Sequence, residues 1–365
     1  MKNFSKIVMT TLILFGAIQT TVFGGSKARR GTAGAQELLI PTGSRGTAMS
    51  GANVSSITGV EAAHWNIAGL AGMESNGEVL FSNSNWLVDD VGVNYGIIGV
   101  SKGQNYFAFS LKSFGTGEIP VTTENQPDGT GEYFSPQFFT LGASYARRMT
   151  DRIKFGTQVK LISETIMRES ATGIALDAGV QYETSNGIHI GASINNLGNS
   201  MRFYGSDLEE FHTPQDTEPG TPLEPRAINT SPFELPTTFE MGVAYEKNLG
   251  TTDLLLAASF LNNNFSFDEF RFGLEAKTMD MFFVRGGLAI AQDPEPFGKD
   301  GIEGTDDDAD DEEFEYNTDE FIWGPSFGFG VDLSKVLGVG LTVDYAYRTV
   351  AYLNGVGWLS LNYAF

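Results

Sequence analysis

The last eight residues, Trp358-Leu-Ser-Leu-Asn-Tyr-Ala-Phe365, decide how the rest of the chain is read. Along an extended strand Leu359, Leu361, Tyr363 and Phe365 point one way, and Ser360, Asn362 and Ala364 the other. One face is apolar and the other small or polar. In a soluble sheet, an apolar edge strand ending on an aromatic residue invites aggregation. In an outer-membrane barrel, closure removes the edge and lipid covers the apolar face. A terminal strand of a soluble β-sandwich is the competing reading. In the barrel reading, Leu361, Tyr363 and Phe365 are the expected assembly signal, presented to the barrel-assembly machinery.

The same two-residue period recurs upstream. Ile174, Leu176, Ala178, Val180 and Tyr182 alternate with Ala175, Asp177, Gly179 and Gln181. Phe239, Met241, Val243 and Tyr245 alternate with Glu240, Gly242, Ala244 and Glu246. Mid-strand charges such as Asp177, Glu240 and Asp344 suit a wet lumen better than a dry sandwich core. The pattern predicts fourteen strands, near 77–87, 91–101, 105–116, 136–148, 153–162, 173–184, 187–197, 237–247, 252–260, 269–278, 281–291, 321–332, 336–347 and 354–365. Connections after even-numbered strands are short. The long ones, 117–135, 163–172, 198–236 and 292–320, all follow odd-numbered strands. That parity is the signature of an up-and-down transmembrane β-barrel, and a sandwich has no reason to obey it. The fold class is therefore all-β, an antiparallel barrel of about fourteen strands.

Lys2 and Lys6 precede an apolar run from Ile7 to Phe23, followed by Gly24-Gly25-Ser26. This is the layout of a secretory signal peptide, with cleavage expected after Gly24. With no cysteine, the chain has no disulfide framework and no lipoprotein acylation site. Forty-four Gly, 12 Tyr and 28 Phe fit a barrel, with rings at the lipid interfaces and Gly where backbones bend. A mean hydropathy of −0.11 is compatible, since only alternate strand residues face lipid. Of the net charge of −22, the stretch from Asp293 to Glu320 holds fourteen acidic residues against Lys299 alone. Nucleic acid, which needs a basic footprint, is excluded as a partner. The expected layout is a signal peptide over 1–24, a plug over 25–76 and a barrel over 77–365, with 292–320 as an acidic external loop. Outer-membrane lipid is the expected surround.

Residues 37–71 are mostly Gly, Ala, Ser and Thr, anchored by Arg45, Met49, Trp65, Asn66 and Leu70. Small residues allow close packing in a confined lumen, and the single charge of Arg45 needs a polar partner there. Asp177, Glu240 and Asp344 are the expected partners. The stretches Leu38-Leu-Ile-Pro, Gly43-Ser-Arg, Met49-Ser-Gly-Ala52 and Trp65-Asn-Ile-Ala-Gly-Leu70 resemble the PorV/PorQ-like outer-membrane proteins, relatives of the FadL-type fatty-acid transporters. Ile67 stands where that pattern has proline, and Ser50 where glycine is common. The specific motifs cover residues 38–71 only.

The resemblance implies a fourteen-stranded barrel with an N-terminal hatch made from Arg45, Met49, Gly51, Ala52, Trp65, Asn66, Gly69 and Leu70. It implies one of two roles. PorV-like members assist type IX secretion by receiving cargo through its C-terminal signal domain. FadL-like members admit hydrophobic small molecules. The branch resembled more closely favours secretion, with cargo bound at external loops, above all 198–236. The uptake channel is the alternative, and a surface barrel whose acidic loops bind a partner is a third class.

Gly99-Val-Ser-Lys-Gly103 spells Gly-x-Ser-x-Gly, but a strand follows where a nucleophile elbow needs a helix, so a hairpin turn is expected. His189 and Ser193 share a strand face without an identifiable orienting partner. His64, His189 and His212 are too dispersed for a zinc site, and His64 reads as packed beside Trp65. Asp306, Asp308 and Asp310 have a spacing that can hold Ca²⁺ weakly, yet lack the glycine and terminal glutamate of an EF-hand loop. A solvated acidic loop is the plainer reading. Neither enzyme activity nor a cofactor is expected.

Overall fold

In a computed structural model, which describes residue 29 and residues 31–88, 90–212, 224–292 and 321–365, fourteen antiparallel strands close into a ring. The barrel strands are β1 Gly77–Asn85, β2 Gly92–Lys102, β3 Asn105–Gly115, β4 Gln137–Arg148, β5 Ile153–Ile166, β6 Glu169–Glu183 and β7 Ile188–Gly198. They continue as β8 Thr238–Asn248, β9 Thr252–Asn263, β10 Asp268–Thr278, β11 Phe282–Gln292, β12 Trp323–Asp332, β13 Gly340–Val350 and β14 Val356–Ala364. Each pairs with its chain neighbours, and β1 pairs with β14 to close the ring. Gly77 and Phe365 exchange backbone hydrogen bonds at 2.9 and 2.8 Å, so no free edge remains at the seam. Among the described residues no helix is long and apolar enough to cross a membrane.

Alternation sorts each strand into two faces. On β3, Phe107, Phe109 and Leu111 are exposed on the outside while Tyr106, Ala108, Ser110 and Lys112 are buried inside. On β14, Leu359, Leu361 and Tyr363 face out, and Val356, Trp358 and Ser360 face in. A continuous apolar exterior of this kind is what a bilayer covers. Part of the polar interior is tied by ion pairs, for example Lys160 to Asp177 at 2.6 Å.

The parity of connections holds, with two adjustments. The stretch 163–172 is not a loop: β5 runs to Ile166, β6 starts at Glu169, and Met167, with φ 55°, occupies the tight turn. The strands extend past the apolar belt there, so Glu164 and Glu169 interrupt the alternation without interrupting the ladder. The connection before β13 contains a helical turn, Ser334–Leu337, ended by Gly338 at φ 70°, so β13 begins at Gly340 rather than near residue 336. Gly103, at φ 66°, lies in the turn between β2 and β3, so the Gly-x-Ser-x-Gly match is a hairpin. The connection after β7 carries a small ribbon, Glu209–His212 with Glu224–Ala227. The expected signal peptide and the acidic stretch with Asp306, Asp308 and Asp310 lie outside the described residues.

Candidate functional site: the hatch and two cavities

Inside the ring, residues 36–72 form a chain of short turns: a 3₁₀ turn Gln36–Leu39, helices Ser44–Ala48 and Ala62–Trp65, and a 3₁₀ helix Ile67–Gly72. The first helix packs against β11 to β14 and the last against β3 to β6, so the segment crosses the lumen. Ala48, Met49, Ala52, Ile57, Ala68 and Leu70 are fully buried. Asn66 opens the last turn. Its Oδ1 accepts from the Ala68 N–H at 3.1 Å, and its Nδ2 donates to the carbonyls of Val54 at 2.8 Å and Val180 of β6 at 3.2 Å. Capping and wall attachment thus fall to one side chain.

The wall meets this segment mainly through glycine. A methyl group added at Gly156, Gly191, Gly242, Gly287 or Gly328 would lie 2.3–2.6 Å from Ile67, Ser55, Val54, Met49 or Ala48 respectively. At Gly179 it would meet the Asn66 side chain. Six strands therefore contribute an inward glycine to one seat, because only a missing Cβ admits backbone this close. Within the hatch, Gly51 at φ 79° sits under Trp65 and Arg271, and Gly69 against the Ile57 carbonyl. Ser50 adopts φ 53°, a glycine-favouring conformation, and its hydroxyl lies 2.7 Å from that of Ser326 on β12.

Arg45 is held by a carboxylate the sequence reading did not name. Its Nε and Nη2 donate to the two oxygens of Glu275 on β10, at 2.9 and 2.8 Å. The three expected partners are engaged elsewhere: Asp177 with Lys160, Glu240 with Arg271 and Ser259, Asp344 with Arg285. Arg285 also donates to Glu275, which ties the hatch into a four-residue network with the wall.

Glu61, on the hatch, stands beside that network without an ion-pair partner among the described residues. It is 6% exposed and accepts from the Gly46 N–H at 2.7 Å. Burial above all, and then the negative charge of Asp344, push its carboxyl up to about 7, against the pull of the Gly46 bond, Arg45 and Arg285. The unfolded value is near 4.5, so the seated hatch binds a proton between pH 4.5 and 7 that the released one does not. This contribution is complete below pH 4.5 and lost as pH rises through 7. It amounts to about 3 kcal/mol. Protease protection of 38–70 should therefore weaken across that window, and Glu61→Gln should flatten the profile.

A cavity opens on each side of the hatch. The lower one, at the short-turn end, has about 680 Å³ and a polar lining that includes Arg45, Glu61, Glu275 and His189. The upper one, at the long-loop end, has about 470 Å³. Trp65, Trp86, Phe114, Phe138 and Trp323 supply its aromatic surface, and His64, Lys160, Arg271 and Arg348 are among its polar lining. His64 packs edge-on against Trp65 with ring centroids 4.9 Å apart. Burial, followed by the positive charge of Lys112, Lys160 and Arg271, holds its imidazole well below the ordinary value.

His189 and Ser193 do not meet. Four residues apart on β7, they are separated by about 13 Å of strand, and His189 faces Glu246 at 3.3 Å instead. Leu361, Tyr363 and Phe365 lie on the outer face of the closing strand, where the Tyr363 and Phe365 rings stack at 5.9 Å. Among the described residues no group of His, Asp and Glu is arranged to hold a metal.

No family model and no curated protein matches this chain. Solved structures do. The chain is similar to the CymD monoaromatic hydrocarbon channel, at 11% identity and a TM-score of 0.54, covering 90% of this chain and 98% of that one. It is similar to the Ralstonia pickettii toluene transporter TbuX, at 12% identity and 0.52, covering 88% and 98%. A Pseudomonas aeruginosa FadL homologue gives 14% and 0.52, covering 89% and 99%. At these identities the likeness is one of fold alone.

Proposed function

We propose that this chain is an outer-membrane channel for small hydrophobic molecules, which enter the upper cavity from outside and pass the hatch. The observation that carries the reading is that cavity, with five Trp and Phe side chains set among polar ones and its floor stopped by a segment the wall grips through glycine contacts. The neighbouring barrels of the same fold are described as hydrocarbon channels and a toluene transporter, which supports uptake over secretion. A second support is a weak seam. The ladder between β11 and β12 ends at Gly287 and Ser326, and Pro325 has no N–H to extend it. Trp323, which lines the cavity, lies just beyond the end of this ladder, where a sideways route to the membrane would open.

The resemblance of residues 38–71 to the PorV/PorQ branch favoured secretion instead, with cargo docking on the connection after β7. The two readings part in one experiment. Cells expressing the protein should accumulate labelled toluene from dilute solution faster than cells without it, while a deletion strain should export proteins with C-terminal signal domains normally. Periplasmic build-up of those proteins, with unchanged toluene entry, would restore the secretion reading.

A further inference from the structure

One cation of the upper cavity, Arg348, makes no ion pair among the described residues; the carboxylate that acts on it from a distance, Glu269, is bonded to Arg271. Lys160 is held by Asp177 at 2.6 Å, and Arg271 by Glu269 at 2.8 Å and Glu240 at 3.4 Å. Arg348, 6% exposed near the upper end of β13, has no such partner, and its Nε and Nη2 are buried without an acceptor. Burying a charge unpaired is costly, and removing it would break no ion pair or hydrogen bond among the described residues. A cavity that retains such a group is suited to a ligand that brings the missing anion.

The surroundings of Arg348 narrow the rest of that ligand. Its guanidinium lies 4.8 Å from the centre of the Trp323 ring. Trp86 packs on Trp323 at 5.1 Å and approaches Trp358 at 6.2 Å, so three of the chain's four tryptophans gather here. Trp358 is pinned by donating from Nε1 to the Pro41 carbonyl at 3.0 Å. The register between β12 and β13 shifts between Trp323 and Ser326, an irregularity of the kind that re-aims side chains. The carboxylates Glu37, Glu164, Glu240 and Glu269 also line the cavity, but Glu240 and Glu269 are engaged by Arg271, and Glu164 is on β5, six strands around the ring from β13. They do not share a head group with Arg348.

We propose that this corner of the upper cavity binds aromatic carboxylates, the carboxylate accepting from Arg348 and the ring lying against Trp86 and Trp323. A plain hydrocarbon would leave Arg348 unpaired, and an aliphatic acid would forgo the ring-on-ring contact. The inference rests on the uptake reading and specifies what enters.

The test uses the full chain in detergent, with intrinsic tryptophan fluorescence as the readout and benzoate, hexanoate and toluene as probes. Benzoate should quench saturably and more tightly than hexanoate. Arg348→Met should weaken benzoate at least about tenfold, the loss of a charged hydrogen bond, without weakening toluene. Arg348→Lys should retain part of the benzoate affinity. The Met variant should also melt no lower than its parent, since it loses an unpaired charge. Equal affinity for hexanoate, undiminished benzoate binding in Arg348→Met, or a lower melting point of that variant would each overturn the proposal. Toluene binding without benzoate binding would overturn it and leave the uptake reading standing. If neither binds, both fall.

Discussion

On the uptake reading, toluene entry should stop when Ser44→Cys and Ser360→Cys are oxidised together, and return when the disulfide is reduced. The two hydroxyls already lie 2.8 Å apart, and the Ser44 N–H donates to Ser360 Oγ at 2.9 Å, so the hatch and β14 are in register for a crosslink. The chain has no cysteine of its own to interfere. A hatch tied to the wall cannot move aside. Transport by the oxidised protein should fall to the level of cells lacking it, while each single variant transports normally. The crosslink should also stabilise the fold by about 2–4 kcal/mol. Full uptake in the oxidised variant would mean that the route does not pass the hatch, leaving the seam between β11 and β12 as the path.

The opposite intervention is to crowd the seat. Gly287→Leu with Gly179→Leu places side chains where a single methyl already lies 2.3 Å from the Met49 backbone or collides with Asn66. Neither neighbour is the loose end of a flexible chain: Met49 and Asn66 are fully buried. Overpacking of this kind costs about 1–3 kcal/mol per site, and the barrel can escape it by releasing the segment. In planar bilayers the parent should remain closed and the double variant should show stable conductance steps. Residues 38–70 should become cleavable at the same time. A closed, protected variant would show that the wall yields before the hatch does.

Much of this architecture was legible in the residues. All fourteen strands were found because a bilayer imposes strict alternation on every one of them. The main exceptions fall outside the apolar belt, at Ser163 to Thr172 and at Val336 to Val339, where no lipid enforces the pattern. Strand parity also identified lumen carboxylates, but not which one Arg45 meets. That depends on where a non-strand segment crosses the lumen, and Glu275 was as eligible as Asp344. The inward glycines were visible and misread as bends, because a missing side chain signals nothing until the group filling its place is known. Arg348 and the gathering of Trp86, Trp323 and Trp358 depend on closure of the ring, which brings the first strand beside the last.

That closure also fixes an order of events. The hatch is the first part of the described chain to be made, yet its seat is completed by strands at the other end: Ser44 bonds to β14, Ser50 to β12, and Arg45 to β10. A half-delivered chain therefore offers the leading segment only the part of its socket on β3 to β7. The Ser44–Ala48 helix must wait, unseated, until the last strand zips to the first through Gly77 and Phe365. Insertion and plugging are thereby timed to coincide, and an incomplete barrel announces itself by a dangling, protease-sensitive leader.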